Sequence, residues 1–118
     1  MSSVVYLERA QRMARFIEDD EFRQVGDRDV ARRQVARRYG FAARALYSLR
    51  YRPPKLIAAD LYDALCSAVE DVASRQIRML ENEIAEARAG RLGGREGVVR
   101  EAEATLREAV ALLDRSAQ

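Results

Sequence analysis

The sequence predicts an all-α protein, with an N-terminal helical domain followed by a long helix and a C-terminal antiparallel helical hairpin. Three observations lead there. Apolar residues recur at spacings of three and four along most of the 118 residues, the period of a helix with one buried stripe. Strand-like alternation of apolar and polar residues is missing. Breakers are few, two prolines and six glycines, and they fall where the helical patterns stop. The length suits one domain with an appended element, divided here as residues 1–66 and 67–118.

The first helix is expected over Val4 to about Asp20, where Tyr6, Ala10, Met13 and Ile17 form one apolar face and Arg9, Arg12 and Arg15 lie on the others. The run Glu18-Asp19-Asp20-Glu21 is ill placed for a helix C-terminus, which prefers cations. The helix should therefore end within it, leaving a connector of about residues 19–28 with Phe22 and Val25 as core plugs and Gly26 as its close. Asp27 or Asp29 can cap the next helix by accepting a bond from a backbone N–H two or three residues on. That helix runs to Tyr39 and stops at Gly40. A short helix, Ala42 to about Tyr51, ends before Pro53-Pro54, because proline lacks a donor and disfavours helix at the residue before it. From Leu56 the pattern restarts and continues to about Ala89. Three of the six glycines lie within Ala89-Gly90-Arg91-Leu92-Gly93-Gly94, a turn signal, and a last helix is expected over about Arg95 to Arg115.

Composition removes several functional classes. The chain has no histidine and one cysteine, Cys66, which excludes the usual zinc cage, a disulfide framework and histidine-based acid/base chemistry. Asp60, Asp63, Glu70 and Asp71 have no histidine or glycine-rich loop to work with, and Cys66 sits among apolar neighbours without a nearby base, as a small core hydrophobe does. The expectation is a protein that is not an enzyme and needs neither cofactor nor metal. No apolar run reaches the roughly 20 residues of a membrane span, and the first residues lack the pattern of an export signal, so a cytoplasmic protein without a membrane partner is expected.

The net charge of +2 conceals a partition. Residues 1–22 hold three Arg against five acids, residues 23–55 ten Arg/Lys against two, and residues 56–118 eight Arg against twelve, giving −2, +8 and −4. A compact +8 stretch inside a nearly neutral chain is an electrostatic footprint for a polyanion.

Within that stretch, residues 32–51 carry a spacing with a mechanical reading. Two helices joined by a tight turn at a steep angle need a small residue where they cross, a residue tolerant of positive φ in the turn, and an aliphatic side chain pushed back into the angle. Ala36, Gly40 and Leu46 stand at those places, and Val35, Tyr39, Phe41 and Leu49 complete the inward set. The stretch resembles the DNA-binding helix-turn-helix of bacterial and phage repressors, of the lambda-repressor and Cro-like kind, closely over about twenty residues and loosely over residues 4–65. It departs from them in offering no side-chain oxygen at Ala42-Ala43 and in its long expected connector.

The resemblance implies a dimeric, sequence-specific transcriptional regulator whose second helix enters the major groove of double-stranded DNA. Carried onto this chain, it places Ala42, Ala43, Arg44, Tyr47, Ser48 and Tyr51 on the groove side. Chemistry then suggests roles. Arg44 can bond guanine O6 and N7 together, Ala42 and Ala43 can pack on a thymine methyl, and Tyr47 and Ser48 complete the base-contacting set. Arg50, Arg52 and Lys55 suit phosphates at the far end of that helix, and Arg32, Arg33, Arg37 and Arg38 suit the neighbouring backbone. Read without a partner, the same arginines are a solvated helix face.

The C-terminal half carries two apolar seams, Ala73, Ile77, Leu80, Ile84 and Ala87, and Val99, Ala102, Leu106, Ala109 and Leu113. Joined by the glycine turn they predict a hairpin. Paired with a second copy across a two-fold axis, through Ile77, Leu80, Ile84, Val99, Leu106 and Leu113, it would form a four-helix bundle and hold two recognition helices about 34 Å apart. Val98, Leu92 and Leu112 add apolar surface. The homodimeric regulator is the leading expectation. The alternative is a protein–protein adaptor or anti-activator that uses the hairpin on another regulatory protein without reading DNA, and RNA binding is a third reading.

Overall fold

The computed structural model describes residues 3–90 and 96–116, apart from the side chains at 96, 98 and 116. The described residues are all-α, in five helices: α1 Ser3–Val25, α2 Arg28–Tyr39, α3 Ala43–Tyr51, α4 Ala59–Arg88 and α5 Glu96–Ser116. They fall into two compact units, Met1–Val69 and Glu70–Gln118. The 30 residues of α4, about 45 Å of helix, supply residues to both. Among the described residues no helix is long and apolar enough to cross a membrane.

In the first unit, α1, α2 and α3 all pack on one another. Ala10, Met13, Ala14 and Ile17 of α1 are buried, as are Ala31, Val35 and Ala36 of α2, Leu46 and Leu49 of α3, and Leu65, Ala68 and Val69 of α4. Each fully buried Leu, Ile or Val here is worth about 1.5–3 kcal/mol of transfer free energy. The small side chains at Ala31 and Ala36 let helices approach closely. Polar ties add direction to this packing. Gln11 Nε2 donates to the Leu49 carbonyl at 3.1 Å, fixing α1 to the last turn of α3. The rings of Tyr6 and Tyr62 meet edge to face at 5.3 Å, and the Cys66 thiol lies 3.9 Å from Met13 Sδ.

The acidic cluster does not end α1, contrary to the sequence expectation. The helix runs through it to Val25 and closes at Gly26, whose φ of 75° suits glycine and whose N–H donates to the Phe22 carbonyl at 2.8 Å. Glu18, Asp19 and Glu21 are paired with arginines of other helices, and Asp20 with Arg23 of α1 itself. The connector to α2 is therefore only Gly26-Asp27, not residues 19–28, and Phe22 and Val25 are half-buried helix residues rather than core plugs. The Phe22 ring lies under the Arg28 guanidinium, 4.0 Å from its centroid.

The next junction follows local rules. Asp27 caps α2, its Oδ1 accepting from Val30 N at 3.0 Å. Gly40 ends α2 in the left-handed region at φ 81°, and the N–H groups of Gly40 and Phe41 both donate to the Ala36 carbonyl, at 2.9 and 3.1 Å. Ala42 is the N-cap of α3 and makes no side-chain cap bond. After Pro53-Pro54, α4 begins at Ala59 rather than Leu56, and Leu56 is exposed.

In the second unit, Ala73 and Ile84 of the α4 seam and Ala102 and Ala109 of the α5 seam are buried. Ile77, Leu80, Ala87, Val99, Leu106 and Leu113 are half-buried, as is Leu112. Arg88 Nη2 donates to Glu103 Oε1 at 3.4 Å, linking the end of α4 to α5. The expected turn at residues 91–94, with Leu92, and the Val98 side chain lie outside the described residues.

Candidate nucleic-acid interface

The site is built on the angle between α2 and α3. Leu46 is 1% exposed and Leu49 also 1%, so the inner face of α3 is fully committed to the core. With a helix of nine residues, that commitment fixes which residues face outward. Ala42, Arg44, Tyr47 and Tyr51 are exposed, and Ala43 and Ser48 are half-buried. Within the first unit, the described residues leave this outer side open.

Between α2 and α3 lies a cleft of about 600 Å³, lined by Asp29, Arg32 and Arg33 from α2, by Ala43, Arg44, Tyr47 and Ser48 from α3, and by Arg52 just beyond. It gathers four of the five residues expected at base edges, and the fifth, Ala42, is the exposed N-cap of the same helix. Of those expected at phosphates, Arg32, Arg33 and Arg52 line the cleft, and Arg37 and Lys55 are exposed outside its lining. Arg33, Arg37, Arg44, Arg52 and Lys55 take part in no ion pair among the described residues.

Neither a known protein-family model, nor a curated protein, nor a solved structure matches the chain. The residues themselves must carry the functional argument.

Two of the expected phosphate ligands, Arg32 and Arg50, are held by carboxylates. Arg32 is 7% exposed, donating to Asp29 Oδ1 at 2.7 Å and to Glu18 Oε2 at 3.4 Å. Arg50 Nη2 donates to Asp19 Oδ1 at 2.8 Å, and its Nε lies 3.2 Å from Glu18 Oε2, an ion pair in which the N–H is not aimed at an acceptor. Arg28 Nη1 reaches the same Glu18 oxygen at 2.9 Å and also bonds Asp19. The buried Glu18 is thus the centre of a cluster that three guanidinium groups share, Arg32 and Arg50 among them. Arg38 is intermediate, 44% exposed at its side chain and bonded to Glu21 Oε1 at 3.2 Å.

These contacts hold the guanidinium groups charged. The hydrogen bond to Asp19 raises the Arg28 pKa above its ordinary range, with Glu18 adding to it. Burial works against the charge on Arg32, but the bond to Asp29 and the negative charge of Glu18 outweigh it, and its pKa is raised as well. The bond to Glu21 raises that of Arg38. Glu18, Asp19 and Asp29 were not among the sequence candidates. The signal available was an acidic run followed by arginines, which shows no partner assignment until α1, α2 and α3 are packed.

Aromatic contacts complete the surface. The rings of Tyr47 and Tyr51, one helical turn apart, have centroids 4.9 Å apart and planes tilted by 48°. The Arg32 Cζ stands over the Tyr47 ring, 5.3 Å from its centroid.

Proposed function

We propose that this chain is a sequence-specific, double-stranded-DNA-binding transcriptional regulator of the helix-turn-helix kind, acting as a homodimer on a two-fold site. The observation that carries the reading is the cleft beside α3, where Arg33, Arg44 and Arg52, free of ion pairs with described residues, flank an open helix face whose opposite side is wedged by Leu46. A rigid helix with cations on its flanks and small or amphipathic side chains at its start is what a major groove accepts. The two-residue connector Gly26-Asp27 also removes the long link that set the sequence apart from the repressor pattern.

In this reading Arg44 contacts a base edge together with Ala42, Ala43, Tyr47 and Ser48. Arg33, Arg37, Arg52 and Lys55, with Arg38 at the margin, contact phosphates. Duplex DNA outcompetes no internal carboxylate for the first four, because among the described residues they have no such partner to give up. The half-buried Ile77, Leu80, Val99, Leu106 and Leu113 leave apolar area on the second unit, which supports pairing with a second copy.

The test is a selection of bound duplexes from random DNA, followed by mobility shifts at increasing salt. A palindromic consensus is expected, with log K falling against log salt by roughly 0.9 per neutralised phosphate, or about 4 per subunit for four contacts. Failure to bind any duplex at low salt overturns the reading, as does binding indifferent to Arg44→Ala combined with Arg52→Ala.

A further inference from the structure

The cleft contains a feature that phosphate binding does not use. Tyr47 is 46% exposed, yet it is held in place. Arg32 stands over its ring, and that arginine is anchored by the buried Glu18 and by Asp29. Tyr51 braces it from the next turn. An exposed aromatic ring tied through a guanidinium to the interior of the protein is rigid, and rigidity lowers the entropy lost when a ligand contacts it.

The chemistry of the cleft narrows what that contact is. Its lining is polar throughout except for Ala43 and the body of Tyr47. In the major groove, the apolar group presented by a base edge is the C5-methyl of thymine. Stacking on unpaired bases is disfavoured by the 48° tilt between Tyr47 and Tyr51, since a base lying flat on one ring does not lie flat on the other.

We propose that Tyr47 is the specificity-determining residue for thymine, taking a C5-methyl group between its ring and Ala43, and that Arg32 is the positioning residue that holds the ring there. The proposal rests on the duplex-DNA reading above and adds the base class that it reads. It also gives Arg32 a part in recognition without any contact to DNA.

The experiment uses the full chain and the duplex recovered by selection, with thymines replaced singly by deoxyuridine, which removes the methyl group and leaves every hydrogen-bonding atom. Loss of one contacted methyl should weaken binding about four-fold, and loss of one in each half-site about fifteen-fold. Tyr47→Phe keeps the ring and should keep the thymine-to-uracil ratio, whatever its absolute affinity. Tyr47→Ala should bring the ratio to about one. Arg32→Lys, with helix content checked by circular dichroism, keeps a cation near Glu18 but not the planar group over the ring, and should also lower the ratio. Equal binding of thymine and uracil duplexes by the unaltered protein overturns the proposal, and so does an undiminished ratio in Tyr47→Ala. An undiminished ratio in folded Arg32→Lys overturns the positioning role. If no duplex binds, the regulator reading itself has failed, and the unaltered protein alone shows which of the two has fallen.

Discussion

Arg50 and Asp19 are separated by 31 residues and joined by a 2.8 Å hydrogen bond, which ties the last turn of α3 to the end of α1. With Glu18 beside them, they set the height of α3 against α1. Glu18→Ala takes the buried carboxylate from Arg28, Arg32 and Arg50, leaving them only Asp19 and Asp29, and should cost about 3 kcal/mol, read as a fall in melting temperature of roughly 10 °C or more. Arg50→Ala should cost less, about 1.5–3 kcal/mol. Because Arg28, Arg32 and Arg38 have pKa values raised by their carboxylate partners in the folded chain, their contribution is complete below the ordinary arginine range and is lost only as pH rises through the folded values. Thermal melts across the neutral range should therefore show no loss from these three groups.

Leu46 is the wedge between α2 and α3. Leu46→Ala should destabilise the chain by about 2–5 kcal/mol, whereas Leu46→Met should cost under about 1.5 kcal/mol. Urea unfolding gives both values. If α3 reads DNA, its affinity should decline in the same order under conditions where both variants are folded.

Gly40 has a φ of 81° and nothing within 4 Å of the place a Cβ would occupy. Space is available, so any penalty for a side chain comes from the backbone. Gly40→Ala should cost about 1–2 kcal/mol, and Gly40→Asn less, since asparagine enters the left-handed region more readily. An unchanged denaturant slope would show that only the folded state was affected.

The cationic residues divide by what they touch. Arg44→Ala should relax preference at one base position by about 1–3 kcal/mol. Arg52→Ala or Lys55→Ala should weaken binding to all duplexes alike and reduce the salt slope by roughly 0.9 each. Mobility shifts on the selected duplex and on single-base variants of it distinguish these patterns.

Pairing of the second units is open to sedimentation. Leu80→Asp combined with Leu106→Asp places charge on half-buried seam positions and should convert a dimer into a monomer at micromolar concentration. An unaltered protein that is already monomeric there would remove the two-fold arrangement.

Much of the region around α3 was legible because each requirement there is local. Gly40 supplies the left-handed residue, Ala36 the carbonyl that both turn N–H groups share, and Pro53-Pro54 the stop. The end of α1 was not legible. By nearest-neighbour rules, four acids at a helix C-terminus oppose the dipole, but Glu18, Asp19 and Glu21 meet arginines from α2 and α3, and no spacing along the chain announces those pairs. The same limit applies to the site. Arg32 and Arg33 are adjacent and chemically identical, yet one is buried against Glu18 and the other is exposed in the cleft. Only helix packing separates them.

Three donors converging on one carboxylate make the cluster lopsided in its tolerance of change. Losing any one arginine leaves Glu18 with two others, whereas losing Glu18 takes the buried partner from all three at once and leaves them only the more exposed Asp19 and Asp29. In a library of all single substitutions, position 18 should stand out as intolerant while positions 28 and 50 accept more variety. Paired libraries should then reveal rescue, with neutral side chains at 28 and 32 becoming acceptable together once the acid is gone.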